Sequence, residues 1–365
     1  MHFSFVSVLM LVSLAIVPMT SCADDSSIHS VTVGTPVAVP DNWGDTWMPA
    51  WTSDGSIYSP SNDTTGFKAK GSGNIAFNCI FGDEPNKLTG ETVDYMAPDY
   101  GKSSEQGPDG CTWKSSGCLA LDGALYWVVA RHRYGGQQPA KNGNIIKSLD
   151  GGKTWMRSEK ENLDHPMFPG SRFATPYFVN YGQEGKEAMA DQNNRYIYAL
   201  SNNGFWDNGD NMVLGRILRS KIANLSGVDW QYFTGHDGTV DASWSSKMGE
   251  AQPVLTVPNH LGMTGATYLP AQKCYLMVGW YYPAGGGEKT PDACKTTNWD
   301  FYVAAHPWGP WRSVGSHKWT PQGYYCPEIC PKFTSPDGST VWVFTAGNWN
   351  DTSAYRLTAV PLTIQ

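Results

Sequence analysis

Asp54-Gly55-Ser56-Ile57-Tyr58 is a polar turn followed by an apolar residue and an aromatic ring, and the chain returns to that arrangement four more times. The later copies are Asp122-Gly123-Ala124-Leu125-Tyr126, Asn194-Arg195-Tyr196-Ile197-Tyr198, a weaker Lys273-Cys274-Tyr275, and Asp337-Gly338-Ser339-Thr340-Val341-Trp342. Their aromatic positions lie 68, 72, 77 and 67 residues apart, a period near 70 that fits the chain five times. Apolar residues before and after each turn make every copy a hairpin, with a further pair of strands downstream. Trp155, Trp230 and Trp311 echo the repeat on the outer strands. Four strands per repeat, without helical periodicity or a long linker, predict an all-β chain folded as a five-bladed β-propeller. The segment from His29 to Val39 has no repeat of its own. It is expected to pair with the last blade and close the ring, which removes an exposed sheet edge.

Ser148-Leu149-Asp150-Gly151-Gly152-Lys153-Thr154-Trp155 fits the sialidase-type Asp-box at every fixed position. Its aspartate can bond turn amides while its tryptophan packs between strands, so a folding role is expected. The 16 tryptophans, 18 tyrosines and 39 glycines, with only 16% charged residues, fit many short strands, tight turns and flat rings of the kind that suit sugars. A net charge of −7 and the lack of a basic run exclude nucleic acid as a partner.

Residues 1–23 read as an export signal and 24–365 as one domain. The signal ends either by cleavage after Ala23 or by cleavage before Cys22, with a lipid anchor on that cysteine. No membrane span follows, and the mature chain is expected to be a secreted or extracytoplasmic monomer. For an exported protein, spacing pairs Cys111 with Cys118, Cys274 with Cys294 and Cys326 with Cys330, and leaves Cys79 as a buried free thiol. The eight histidines show no paired metal spacing, so neither metal nor cofactor is assigned.

Asp45-Thr46-Trp47, Trp51 through Tyr58 and Asn62 through Phe67 resemble the opening blade of a secreted propeller family long known only as a domain of unknown function. Lys114-Ser115-Ser116-Gly117 and Pro307-Trp308-Gly309-Pro310-Trp311 are similar to it as well. Some relatives of that family are endo-D-arabinofuranosidases, so the resemblance implies a propeller of glycoside-hydrolase type. Where the family carries a second acidic residue this chain has Ser53, and no role passes to that turn.

Hairpin geometry ranks the carboxylates independently. Counting outward from the turn at Asp54 sets Asp45 opposite Asp63 at the open end of the first hairpin, where inner strands of a propeller converge on the channel. That pair is expected to supply the acid and base of a glycosidase. The same count sets Lys114 opposite Arg131, with His132 beside it, as a cationic rim that binds substrate or holds one acid ionised. Glu328, counted opposite Gly347, is the third candidate acid. Trp43, Tyr324 and Tyr325 complete the expected sugar contacts, while Asn202, Asp207, Asp210 and Glu250 are not singled out by spacing. Three functions stay open: a glycoside hydrolase acting on a poly- or oligosaccharide such as arabinan, a non-catalytic carbohydrate-binding propeller, and a sialidase-like enzyme.

Overall fold

The computed structural model describes residues 28–133, 140–162, 165–189, 195–236, 241–285 and 292–365. The expected export signal and Cys22 lie outside them. The described residues form five antiparallel sheets, one per repeat. Blade I combines Asn42–Asp45 and Ala50–Trp51 with Ile57–Phe67, Gly73–Phe81 and Thr89–Asp94. Blade II holds Thr112–Leu121, Ala124–His132 and Lys141–Ser148. Blade III runs Tyr177–Phe178, Tyr196–Asn202, Gly209–Leu218, Trp230–His236 and Ala242–Ser245, with Pro253–Leu261 also on Gly209–Leu218. Blade IV is Ala266–Leu269, Cys274–Tyr281, Thr297–Ala304 and Arg312–Trp319, and blade V is Tyr325–Cys330, Thr340–Ala346 and Thr358–Ile364.

In every blade the repeated aromatic sits near the start of the second strand, just past the hairpin turn. The turn chemistry explains this placement. Asp122 and Gly123 have φ of 52° and 77°, the double left-handed pair that a two-residue hairpin loop requires, and they join Leu121 directly to Ala124. Val31–Val33 and Val37–Ala38 pair with Thr358–Ile364, so the N-terminal segment closes the ring as expected.

Four strands hold for blade IV alone: I and V have five, V by gaining the two N-terminal strands, while II and III have three and six among the described residues. In blade II the fourth strand shrinks to two isolated bridges, Lys147 with Met156 and Gly143 with Phe168. The cause lies in the Asp150 turn. Asp150 Oδ1 accepts from the Ser148 hydroxyl at 2.8 Å and the Thr154 amide at 2.9 Å, and Oδ2 accepts from the Thr154 hydroxyl at 2.7 Å. This tight loop drops Trp155 edge-on against Phe77 and Trp127, at 4.8 and 5.2 Å, and anchors the corner between blades I and II.

The local disulfide pairs are a correction. The seven described cysteines are buried thiols outside any disulfide, Cys79 among them as expected. Extended strands hold the proposed partners apart: Cys111 precedes and Cys118 lies within one strand, roughly 20 Å apart at about 3.3 Å per residue. Cys274 and Cys294 sit at opposite ends of a hairpin in which Tyr281 pairs with Asn298. Cys326 and Cys330 share one strand, roughly 13 Å apart, whereas a disulfide needs Cα atoms within about 7 Å. Non-reducing peptide mapping is expected to find none of the three links, and any one of them bonded would contradict this arrangement.

Candidate active site in the central channel

The first strand of blade I breaks because Gly44 and Thr46 have φ of 138° and 58°. Near the turn the counted register holds, with Trp51 opposite Ile57, but past the break Asp45 faces Asn62 rather than Asp63. Asp45 is buried and sits among hydroxyl donors. Thr46 donates to Oδ1 at 2.7 Å, while Tyr325 and Tyr355 donate to Oδ2 at 2.5 and 3.1 Å. Burial first, and the charge of Asp63 second, push its carboxyl up to about 6 against the opposing pull of Lys114 and the hydroxyls.

Asp63 takes a left-handed φ of 41°, and its carboxylate meets Lys114 Nζ of blade II at 2.5 Å. Asn62 Oδ1 accepts the Ser115 amide at 2.8 Å, so two adjacent residues clamp blade I to blade II. Lys114 does not face Arg131, because a bulge between Ser115 and Cys118 shifts the ladder and sets Lys114 opposite Ala130 and Arg131 opposite Trp113. Arg131 is committed to its own loop: it pairs with Asp109, donates to the Cys111 carbonyl at 2.8 Å and stacks on Trp113 at 4.6 Å. Lys114 and Arg131 are only 4% and 5% exposed, so the residues expected at a rim are buried. His132 is buried too, and burial with the neighbouring Lys114 lowers it to about 3, leaving it neutral at ordinary pH.

Glu328 faces Phe344, not Gly347, since the loop before Thr340 carries a 3-10 turn at Pro331–Phe333 and the ladder is already offset where Cys330 faces Trp342; past Glu328 the strand bulges toward Tyr325. Cys326, at φ 47°, sits in that bulge; no disulfide aims the glutamate. Glu328 Oε1 instead accepts the Gly265 amide at 2.6 Å. Burial pushes Glu328 up to about 8, with the Gly265 amide and the Thr264 hydroxyl opposing.

The carboxylates share one neighbourhood. Burial and then the charges of Asp45, Glu328 and Asp207 raise the Cys326 thiol, and Tyr177 is raised by burial, Cys326, Glu328 and Asp45. The hydroxyls of Tyr177 and Tyr282 are buried without a hydrogen-bond partner among the described residues. These groups come from blades I, III, IV and V, and the links between them carry no local sequence signal. Trp43 leans edge-on against Tyr355 at 5.0 Å. Tyr324 packs on Trp319 at 4.9 Å and lends its carbonyl to the Trp299 indole, so packing accounts for it. Asn202 bonds the Leu261 carbonyl, Asp210 holds the Asn259 amide, and Glu250 lies at an exposed turn with Ser245 and Lys247. No group of three or more His, Cys, Asp or Glu among the described residues is arranged to hold a metal.

A ring of five blades around buried acids invites comparison with solved propellers. The chain is a five-bladed propeller similar in fold to solved hydrolases. A hydrolase candidate from Bacteroides ovatus superposes with a TM-score of 0.54 at 13% identity, over 90% of this chain and 87% of that one. A xylan β-1,4-xylosidase from Bacillus halodurans reaches 0.47 at 11% identity, over 89% of this chain and 54% of its own. The α-L-arabinofuranosidase of Fusarium graminearum, solved with arabinobiose, reaches 0.43 at 10% identity, over 91% and 98%. No family model matches the chain, nor does any curated protein. The first of these likenesses bears on the fold alone, and the chemistry has to come from the site.

Proposed function

We propose that the protein is a glycoside hydrolase in which Glu328 is the general acid and Asp45 the base or nucleophile. What supports this reading is a pair of buried carboxyls that both act on the Cys326 thiol and whose surroundings set them apart, at about 6 and about 8. Near pH 7 Asp45 is ionised and Glu328 still holds its proton, the split that glycosidic cleavage needs. This replaces the pairing of Asp45 with Asp63. Asp63 is an ion-pair partner of Lys114, and through Asp45 the two act as positioning residues. Tyr325 and Tyr355 fix the Asp45 carboxylate, and Tyr177 and Tyr282 have hydroxyls to offer sugar oxygens.

Charge narrows the substrate. Asp45, Asp207 and Glu328 gather in the channel, Lys114 is matched by Asp63, His132 is neutral and Arg131 is held by Asp109. An uncharged sugar fits that balance, whereas a sialic or uronic acid needs a cation to meet its carboxylate. Incubating the purified protein with arabinan, xylan, a polyuronate and a sialylated glycan is expected to release sugar from a neutral polymer. Release from the acidic polymers alone would overturn the substrate assignment. No release from any would count against the enzyme and favour a carbohydrate-binding propeller.

A further inference from the structure

Blade II carries a second feature, on its outer edge rather than in the channel. Beside the strand Lys141–Ser148, where the other blades continue into a fourth strand, lies a cavity of about 260 Å³. That is slightly below the range of about 300–1,000 Å³ typical of sites for drug-sized ligands, so it is sized for one small unit. Ile146 and Val129, on one face of the sheet, form an apolar floor, and Tyr100 and Trp113, edge to face at 5.3 Å, form an aromatic wall.

The polar groups around this floor are unevenly satisfied. Glu161 also lines the cavity; its Oε1 accepts the Gly227 amide at 2.7 Å, but its Oε2 is buried with no hydrogen-bond partner among the described residues. A buried acceptor left unmade is costly and marks a place for a donor. The Asn144 amide nitrogen reaches only the Asn142 carbonyl, at a stretched 3.5 Å. Main-chain groups add to these. Lys147 exchanges both its hydrogen bonds with Met156, and alternate residues of an antiparallel strand face the same side, so Ile145 presents its N–H and C=O toward this open edge. Arg157 is matched by Asp99 at 2.7 Å, which leaves Glu161 as the uncompensated charge and disfavours an anion.

We propose that this cavity binds a single uncharged sugar unit, with a hydroxyl donating to Glu161 Oε2 and the ring's C–H face against Trp113. A sugar ring offers an apolar face edged with hydroxyl donors and acceptors, which matches this combination of aromatic wall, apolar floor, orphan acceptor and free edge groups. The site is separate from the channel and does not rest on the channel being catalytic.

The test is a titration of the full-length protein with arabinose, xylose, galactose and glucose, and with butylammonium as a cationic control, read on the methyl resonances of Val129 and Ile146. At least one sugar is expected to shift both resonances and saturate. Glu161→Gln, which keeps the bond from Gly227, is expected to weaken that binding about tenfold, the scale of one charge-assisted hydrogen bond. Ser158→Trp, at the rim, is expected to abolish it. The proposal is overturned if no sugar moves these methyls, if only butylammonium does, or if the shifts are unchanged in both variants.

Discussion

Asp45→Asn is expected to lower turnover on a neutral polysaccharide by about 10²–10⁴-fold while making the fold more stable at pH 8. The two effects have one origin. An unfolded aspartate gives up its proton near 3.8 and the folded one near 6, so the native state loses stability as pH rises through that window. Above it the loss amounts to about 3 kcal/mol, and the amide, which carries no charge, recovers up to that amount. Thr46 and the two tyrosines still have partners in an amide, because hydroxyls can turn from donor to acceptor. A purely structural aspartate would behave the other way, with stability falling and no separate loss of turnover. Denaturant midpoints at pH 4 and pH 8, set beside initial rates, distinguish the two.

Lys114→Met is expected to cost about 3 kcal/mol, the lower end for breaking a buried ion pair, since Asp63 keeps some contact with water. The same change removes the one neighbouring cation that holds the Asp45 carboxyl down, so the acidic limb of the rate profile is expected to move above 6. Adding Asp63→Asn to Lys114→Met should restore part of the stability, because the stranded carboxylate is then gone. An unfolding midpoint equal to wild type for Lys114→Met alone would contradict a buried ion pair with Asp63.

The ring of blades was legible because its signals are local. A turn dipeptide such as Asp122-Gly123 dictates its hairpin whatever surrounds it, and the five aromatics after the turns recur at 67 to 77 residues, close enough to one period to show through the insertions between them. Register was not legible. Counting from the turn works only until a residue is inserted: the break at Thr46 comes before Asp45, the bulge after Ser115 before Lys114, and the 3-10 turn at Pro331–Phe333 before Glu328. Asp45, Lys114 and Glu328 were therefore found as residues near the open ends of hairpins, but with the wrong partners. Their actual partners, Tyr355 for Asp45, Asp63 for Lys114 and Gly265 for Glu328, come from other blades or from the chain segment that closes the ring. The cysteines misled for a related reason: proximity in sequence means separation in space once both residues lie along a strand.

The most direct test of the channel chemistry is the pH dependence of kcat/KM on a neutral polysaccharide that the wild-type protein cleaves. Ionised Asp45 beside protonated Glu328 predicts a bell that rises through about 6 and falls through about 8, with the falling limb and most of the rate lost in Glu328→Gln. A profile flat across that range, or a Glu328→Gln variant that retains both the rate and the falling limb, would contradict the account.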